Sequence, residues 1–266
     1  MAAKRRDAGV FALCRLGAAV LFILTVVFAT RAWPAEPMRI FAAASTIAAV
    51  NEAVIQFNSR TGIAAAAVFA SSGALARQLA AGAPGHVFLS ANERWMSWAE
   101  KQGVIDPKSR QVILRNRLVL ATLKGAGLRI HRIGKSEFLK LLGDKRIAIA
   151  DPAHAPLGAH TREALRWLGV WESVSPRALR MSDAARARAL VERGEAPLGI
   201  LYQSDTITSS RLEVAAVFPP EAHRPIEYEI ALTRAGAADE RAAGLLRWLT
   251  GKDARGVFAK YGFGAD

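Results

Sequence analysis

From Met38 to Gly103 the sequence alternates between short, continuous apolar runs and segments whose apolar residues recur every three or four positions. The runs are MRIFAAAS (38–45), IAAAAVFA (63–70) and HVFLSA (86–91). The segments after them are TIAAVNEAVIQFNSRTG (46–62), GALARQLAAG (73–82) and NERWMSWAEKQG (92–103). A continuous apolar run fits a strand buried on both faces, and three-and-four spacing marks a helix with one buried stripe. Strand–helix–strand order then requires a parallel sheet with helices on its faces.

The pattern continues. RNRLVLATL (115–123), RIAIAD (146–151), PLGILYQSD (197–205), LEVAAVFP (212–219) and IEYEIALTR (226–234) read as strands. KSEFLKLLG (135–143), GAHTREALRWLG (158–169) and DAARARALVERG (183–194) read as helices, and two more close the chain. There is no internal repeat and no Pro-rich linker. If the chain makes two lobes, it crosses between them through ordinary strands.

The first 35 residues have a different character. Lys4, Arg5, Arg6 and Arg15 precede the apolar run LGAAVLFILTVVFA (16–29), and small residues follow it. A basic start, a short apolar middle and a small-residue exit predict a signal peptide over 1–35, with Ala29, Ala32 or Ala35 before the cleaved bond. The run is shorter than the roughly 20 residues a membrane span needs. The single cysteine, Cys14, falls in this segment, so the mature chain has no thiolate for nucleophilic or metal chemistry. The whole chain carries a net charge of +13. Without Lys4, Arg5, Arg6, Arg15, Arg31 and Asp7 it carries +9. Its Lys and Arg are dispersed and no basic stripe interleaves with aromatics, which argues against nucleic acid. A solvated basic surface, drawing anions inward, accounts for the charge.

Open α/β sheets take ligands where strands end and helices begin. Four such junctions here share one chemistry: AAASTIAA with Ser45, FASSGALA with Ser71 and Ser72, DPAHAPLGAH with Pro156, Leu157 and Gly158, and RMSDAARA with Ser182, Asp183 and Ala184. A helix start offers unpaired N–H groups and a partial positive charge, and small residues let an anion reach them. Each serine could equally be no more than a helix cap. One cap per helix suffices, so the second serine of ASSG is the surplus that needs another role. Tyr202 ends a buried-type strand with its hydroxyl toward the same edge.

Other chemistry finds little support. His86, His131, His154, His160 and His223 form no HxxxH or HExxH pair, and His154 and His160, six apart across a turn, suit the surface better than a metal. There is no GxSxG elbow, P-loop or GxGxxG. Trp95, Trp98, Trp167 and Trp171 stand at helical spacing and suit core packing.

The stretches FAAAST, FASSGALARQLAAGAP, VFLSANERWM, DPAHAPLGAHTREALRWLGVWE and ALVERGEAPLGILYQSD resemble the periplasmic molybdate-binding proteins of ABC transporters, of the type II periplasmic binding protein family. The similarity runs from about Arg39 to Phe263. It implies two α/β lobes, each a mostly parallel sheet flanked by helices, joined by two crossover strands around a cleft. Lobe 1 then takes 36–118 and 232–266, and lobe 2 takes 119–231. It also implies a tetrahedral oxyanion held without a positive side chain: by the hydroxyls of Ser45, Ser72 and Tyr202, and by main-chain N–H groups at Leu157 and Ala184, with Ser71 in support. The family usually has a small residue at Leu157, Val at Ala184 and Asp at His86. Smaller residues stand where Arg186 and Arg188 are found.

The expectation is a secreted, monomeric binding protein with no cofactor and no bare metal ion. It captures molybdate, and tungstate too, for the permease of an ABC transporter. Sulfate or phosphate is the alternative ligand. A serine hydrolase using Ser45 or Ser72 is the alternative of another class, and a sensory module passing lobe closure to a receptor is a third reading.

Overall fold

The computed structural model describes residues 36–264; the expected signal peptide, residues 1–35, lies outside them. Among the described residues no helix is long and apolar enough to cross a membrane.

The chain runs β1 (Met38–Ala43), α1 (Ile47–Thr61), β2 (Ala65–Ala70), α2 (Ser72–Ala80), β3 (Val87–Ser90), α3 (Glu93–Lys101), β4 (Gln111–Asn116) and β5 (Leu118–Leu123). It continues with α4 (Lys135–Leu142), β6 (Ile147–Ala150), α5 (Pro156–Trp167), β7 (Ala178–Met181), α6 (Ala184–Glu192), β8 (Leu198–Tyr202), α7 (Gln203–Ile207) and β9 (Leu212–Val217). β10 (Ile226–Leu232), α8 (Glu240–Thr250) and α9 (Lys252–Lys260) follow.

Two five-stranded sheets result, ordered β2-β1-β3-β10-β4 and β7-β6-β8-β5-β9. Their plans match. In each, three parallel strands are extended by an antiparallel strand and then an edge strand. β3, β5, β6 and β8 are buried along nearly their whole length, as their unbroken apolar runs require. At the edges, β4 is largely exposed and β7 half-buried. The expected two-lobed α/β fold is present, with each sheet mixed beyond its parallel half.

One strand differs from the sequence reading. β10 pairs with β3 and β4 in the first sheet, whereas residues 226–231 were expected in the second lobe. Hydropathy marks 226–232 as a buried strand but does not report which sheet it joins. Glu229 on β10 meets the Arg110 guanidinium at 2.8 Å, and Glu227 meets Arg115 on β4 at 2.9 Å.

The helices are fixed at their ends by local chemistry. α1 stops at Gly62, whose φ of 70° is a left-handed conformation that glycine adopts without Cβ strain. Asn92 caps α3 by accepting the Trp95 N–H at 3.2 Å, and Asp183 caps α6 by accepting the Arg186 N–H at 2.9 Å. Phe57, Phe88, Phe138 and Phe258 are fully buried, each worth about 1.5–3 kcal/mol in apolar transfer. Trp95 and Trp171 join the core as expected, but Trp167 is 48% exposed.

Candidate functional site

The carboxyl ends of β1, β2, β3, β6, β7 and β8 converge on one small pocket between the sheets. Its wall includes Ser45, Ser71, Ser72, Leu157, Ala184 and Tyr202, the residues that the family resemblance implies, but not Gly158 or Ser182 of the same junctions. Ala43, Ala44, Ala91, Ala155, Pro156 and Asp183 complete it. Its free volume is about 10 Å³, about the minimum for a single water molecule. A groove of about 660 Å³ lies along the crossover strands, lined by Arg115, Arg117 and Pro219. It is far larger but touches only one helix start, at Gln203, so the small cavity is the better candidate.

The two lobes meet closely around the cavity. Ser72, Leu157 and Tyr202 are at most 1% exposed. Gly73, beside Ser72, packs so near the second lobe that a Cβ there would sit 2.6 Å from the His154 carbonyl oxygen and 2.6 Å from the Trp95 ring. Gly158 does the same within its own lobe, where a Cβ would sit 2.4 Å from the Ala150 carbonyl. These two glycines let α2 and α5 bring their first turns to the cavity.

The paired serines divide their work. Ser71 caps α2 by accepting the Ala74 N–H at 3.4 Å. Ser72 accepts the Ala91 N–H at 3.0 Å, tying the start of α2 to the end of β3. Ser45 stands oxygen to oxygen with Tyr228 at 3.0 Å. α5 begins with Pro156 and has no side-chain cap, so the first-turn N–H of Leu157, a lining residue, is unclaimed by a capping group. At α6, Asp183 takes the Arg186 N–H and leaves that of Ala184.

Among the described residues no Lys, Arg or His lines the cavity. Asp183 is its one charged residue, and its oxygens are engaged by the Arg186 N–H at 2.9 Å, the Ser182 hydroxyl at 2.9 Å and the Arg186 guanidinium at 3.2 Å. The Tyr202 hydroxyl is buried and has no hydrogen-bond partner among the described residues. Burial, with Tyr228 and Asp205 nearby, pushes its phenol well above the usual range, so it stays a protonated donor. Among the described residues no three His, Cys, Asp or Glu side chains are grouped to hold a metal ion.

Several placements were not read from the sequence. Arg188 is no free surface charge: it pairs with Glu192 at 2.9 Å and bonds the Thr208 hydroxyl at 2.7 Å. His160 is buried on α5, facing His223 at 5.7 Å, while His154 is exposed. His86 lies away from the cavity, where its ring accepts the Arg39 N–H at 3.1 Å. Tyr228 and Asn116 were missed altogether. IEYEIALTR shows only strand character, and nothing local marks Tyr228 as the partner of a serine 183 residues earlier.

Two α/β lobes joined by crossover strands and closed on a pocket of neutral donors define a two-lobed binding fold. The chain belongs to the bacterial extracellular solute-binding proteins, whose family model matches residues 38–264. It is 39% identical over 225 residues to the molybdate-binding protein ModA of Escherichia coli, covering 84% of this chain and 87% of that one. It is 36% identical to the ModA of Haemophilus influenzae, covering 74% and 77%. Among solved structures, the periplasmic molybdate-binding protein of Azotobacter vinelandii superposes with a TM-score of 0.76 at 24% identity, covering 86% of this chain and 99% of that one.

Proposed function

We propose that the chain is an extracytoplasmic binding protein that captures molybdate, and tungstate with it, between its two lobes and delivers it to the permease of an ABC transporter. The observation that carries this reading is the Tyr202 hydroxyl, a buried donor without a protein partner at a cavity free of cationic side chains. A buried dianion needs several donors, and neutral ones suffice when helix-start amides join them. Ser45, Ser72 and Tyr202 with the N–H groups of Leu157 and Ala184 form such a set. The relatives named above support molybdate as the particular anion. Delivery follows lobe closure, which presents a different surface to the permease when the anion is held. The chain acts as a monomer in the periplasm after removal of residues 1–35.

Hydrolysis has less support. Ser45 and Ser72 bond to Tyr228 and to the Ala91 N–H, and neither meets a histidine that could act as base. The test is thermal unfolding with added anions. Molybdate at 100 times its Kd should add about 2.7 kcal/mol of stability, and sulfate at the same concentration little. Equal shifts from both would overturn the size-selective reading.

A further inference from the structure

A serine hydroxyl both donates and accepts, so residue type alone does not separate a bare oxyanion from one that still carries a proton. The neighbours of Ser45 do. Asn116, the last residue of β4, accepts the Arg117 N–H at 2.9 Å and the Ser204 N–H at 3.4 Å through Oδ1. That fixes the orientation of the amide. Its Nδ2 then donates to the Ser204 hydroxyl at 2.9 Å and to the Tyr228 hydroxyl at 3.4 Å. An amide nitrogen cannot accept, so the Tyr228 hydrogen has one acceptor among its hydrogen-bond partners, the Ser45 oxygen at 3.0 Å. Ser45 therefore accepts from Tyr228 and points its own hydrogen elsewhere. Ser72 is placed in the same way by the Ala91 N–H at 3.0 Å. Tyr228 is fully buried, and the ring is held edge-on by Phe263 at 5.4 Å, so its hydroxyl has little freedom to turn.

We propose that Tyr228, oriented by Asn116, is a positioning residue that commits Ser45 to donating, and that the cavity thereby rejects oxyanions carrying a proton, such as hydrogen phosphate or hydrogen arsenate. This rests on the reading of the cavity as a molybdate site. A protonated oxyanion would bring a hydroxyl that meets a hydrogen at Ser45. Tyr202 could accept it only by leaving its own hydrogen unpaired, and the Asp183 carboxylate already accepts from Ser182 and Arg186. One hydrogen is left without an acceptor, a loss of about 10- to 100-fold in affinity. Asn116 also joins the lobes, since it bonds Tyr228 in the first and Ser204 in the second, so the orientation of Ser45 is set by the crossover itself.

The test is displacement of bound molybdate by sulfate and by phosphate at pH 8. The two competitors there have similar size and charge and differ by one proton. In the parent protein sulfate should compete better than phosphate. Tyr228→Phe frees the Ser45 oxygen to accept, and should move the ratio of the two inhibition constants about 10-fold or more toward phosphate. Ser45→Ala removes donor and acceptor together; it should weaken molybdate without moving that ratio toward phosphate. Asn116→Ala lets Tyr228 accept from Ser45 and should move the ratio as Tyr228→Phe does, which keeps the test available if the phenylalanine variant folds poorly. A merely structural role for Tyr228 would weaken all anions alike and leave the ratio unchanged, and that result would overturn the proposal. Absence of molybdate binding by the parent would instead defeat the functional reading on which it stands.

Discussion

Ser72 accepts the Ala91 N–H at 3.0 Å, so one hydroxyl joins the start of a helix to the end of a neighbouring strand while keeping its hydrogen for the cavity. Ser71, its neighbour, serves the helix as cap. Ser72→Ala should therefore weaken molybdate binding by about 10- to 100-fold, the value of a hydrogen bond to a charged group. It should also destabilise the ligand-free fold by about 1–3 kcal/mol through the Ala91 N–H left unpaired. Ser71→Ala should cost about 1 kcal/mol of stability through the lost cap, with a much smaller effect on affinity. Calorimetric titration and denaturant unfolding of both variants separate the two roles. Equal affinity losses would refute the division.

Tyr202→Phe removes a hydroxyl that has no protein partner. Its effects should have opposite signs: about 10- to 100-fold weaker molybdate binding, and a melting temperature without ligand that is unchanged or higher. A variant that loses stability and keeps its affinity would show that the hydroxyl serves the fold rather than the anion.

Gly73 permits the close approach of α2 to the His154 carbonyl across the cleft. Gly73→Ala should hold the lobes apart, and it also forces the Trp95 ring of the first lobe to shift. Small-angle scattering should then show no contraction with molybdate where the parent contracts, and affinity should fall. An alanine variant that still contracts would mean the contact at His154 is not needed for closure.

Two buried groups give opposing pH dependences. Burial raises the Asp205 carboxyl from 3.8 to about 7, against the pull of Arg188 and the Tyr202 N–H. Between those values the folded chain holds a proton the unfolded chain has lost, so its contribution to stability falls as pH rises. Burial, with His223 alongside, lowers His160 from 6.5 to about 4. There the unfolded chain holds the proton, so stability rises with pH and is lost on acidification. Over roughly pH 4.5–6 each slope approaches about 1.4 kcal/mol per pH unit, and the two nearly cancel. Relative to the parent, His160→Phe should lose stability as pH rises through this window, and Asp205→Asn should gain it. Thermal melts at half-unit pH steps read both, and parallel curves for all three proteins would contradict the assignment.

Much of the site was legible because it is built from junctions. Ser45, Ser72, Leu157 and Ala184 each follow a strand and start or precede a helix, and local patterning exposes such places. The ends of the elements were legible for the same reason, as at Gly62. What could not be read depends on contacts between distant segments. Tyr228 matters because β10 returns to the first sheet beside β3, a pairing helped by Glu229 and Arg110. His160 is buried because the crossover segment around Pro220–Ala222 packs over α5 and Glu163 holds Arg224 at its edge. Neither relation leaves a periodic trace.

The central claim is that a cavity of neutral donors selects one tetrahedral dianion. Titration calorimetry of the chain from Glu36 onward against molybdate, tungstate, sulfate and phosphate tests it most directly. The expected result is one molybdate or tungstate per chain, with sulfate and phosphate at least ~100-fold weaker, a difference of about 2.7 kcal/mol. Sulfate or phosphate binding as tightly as molybdate, or no heat from molybdate at all, would contradict it.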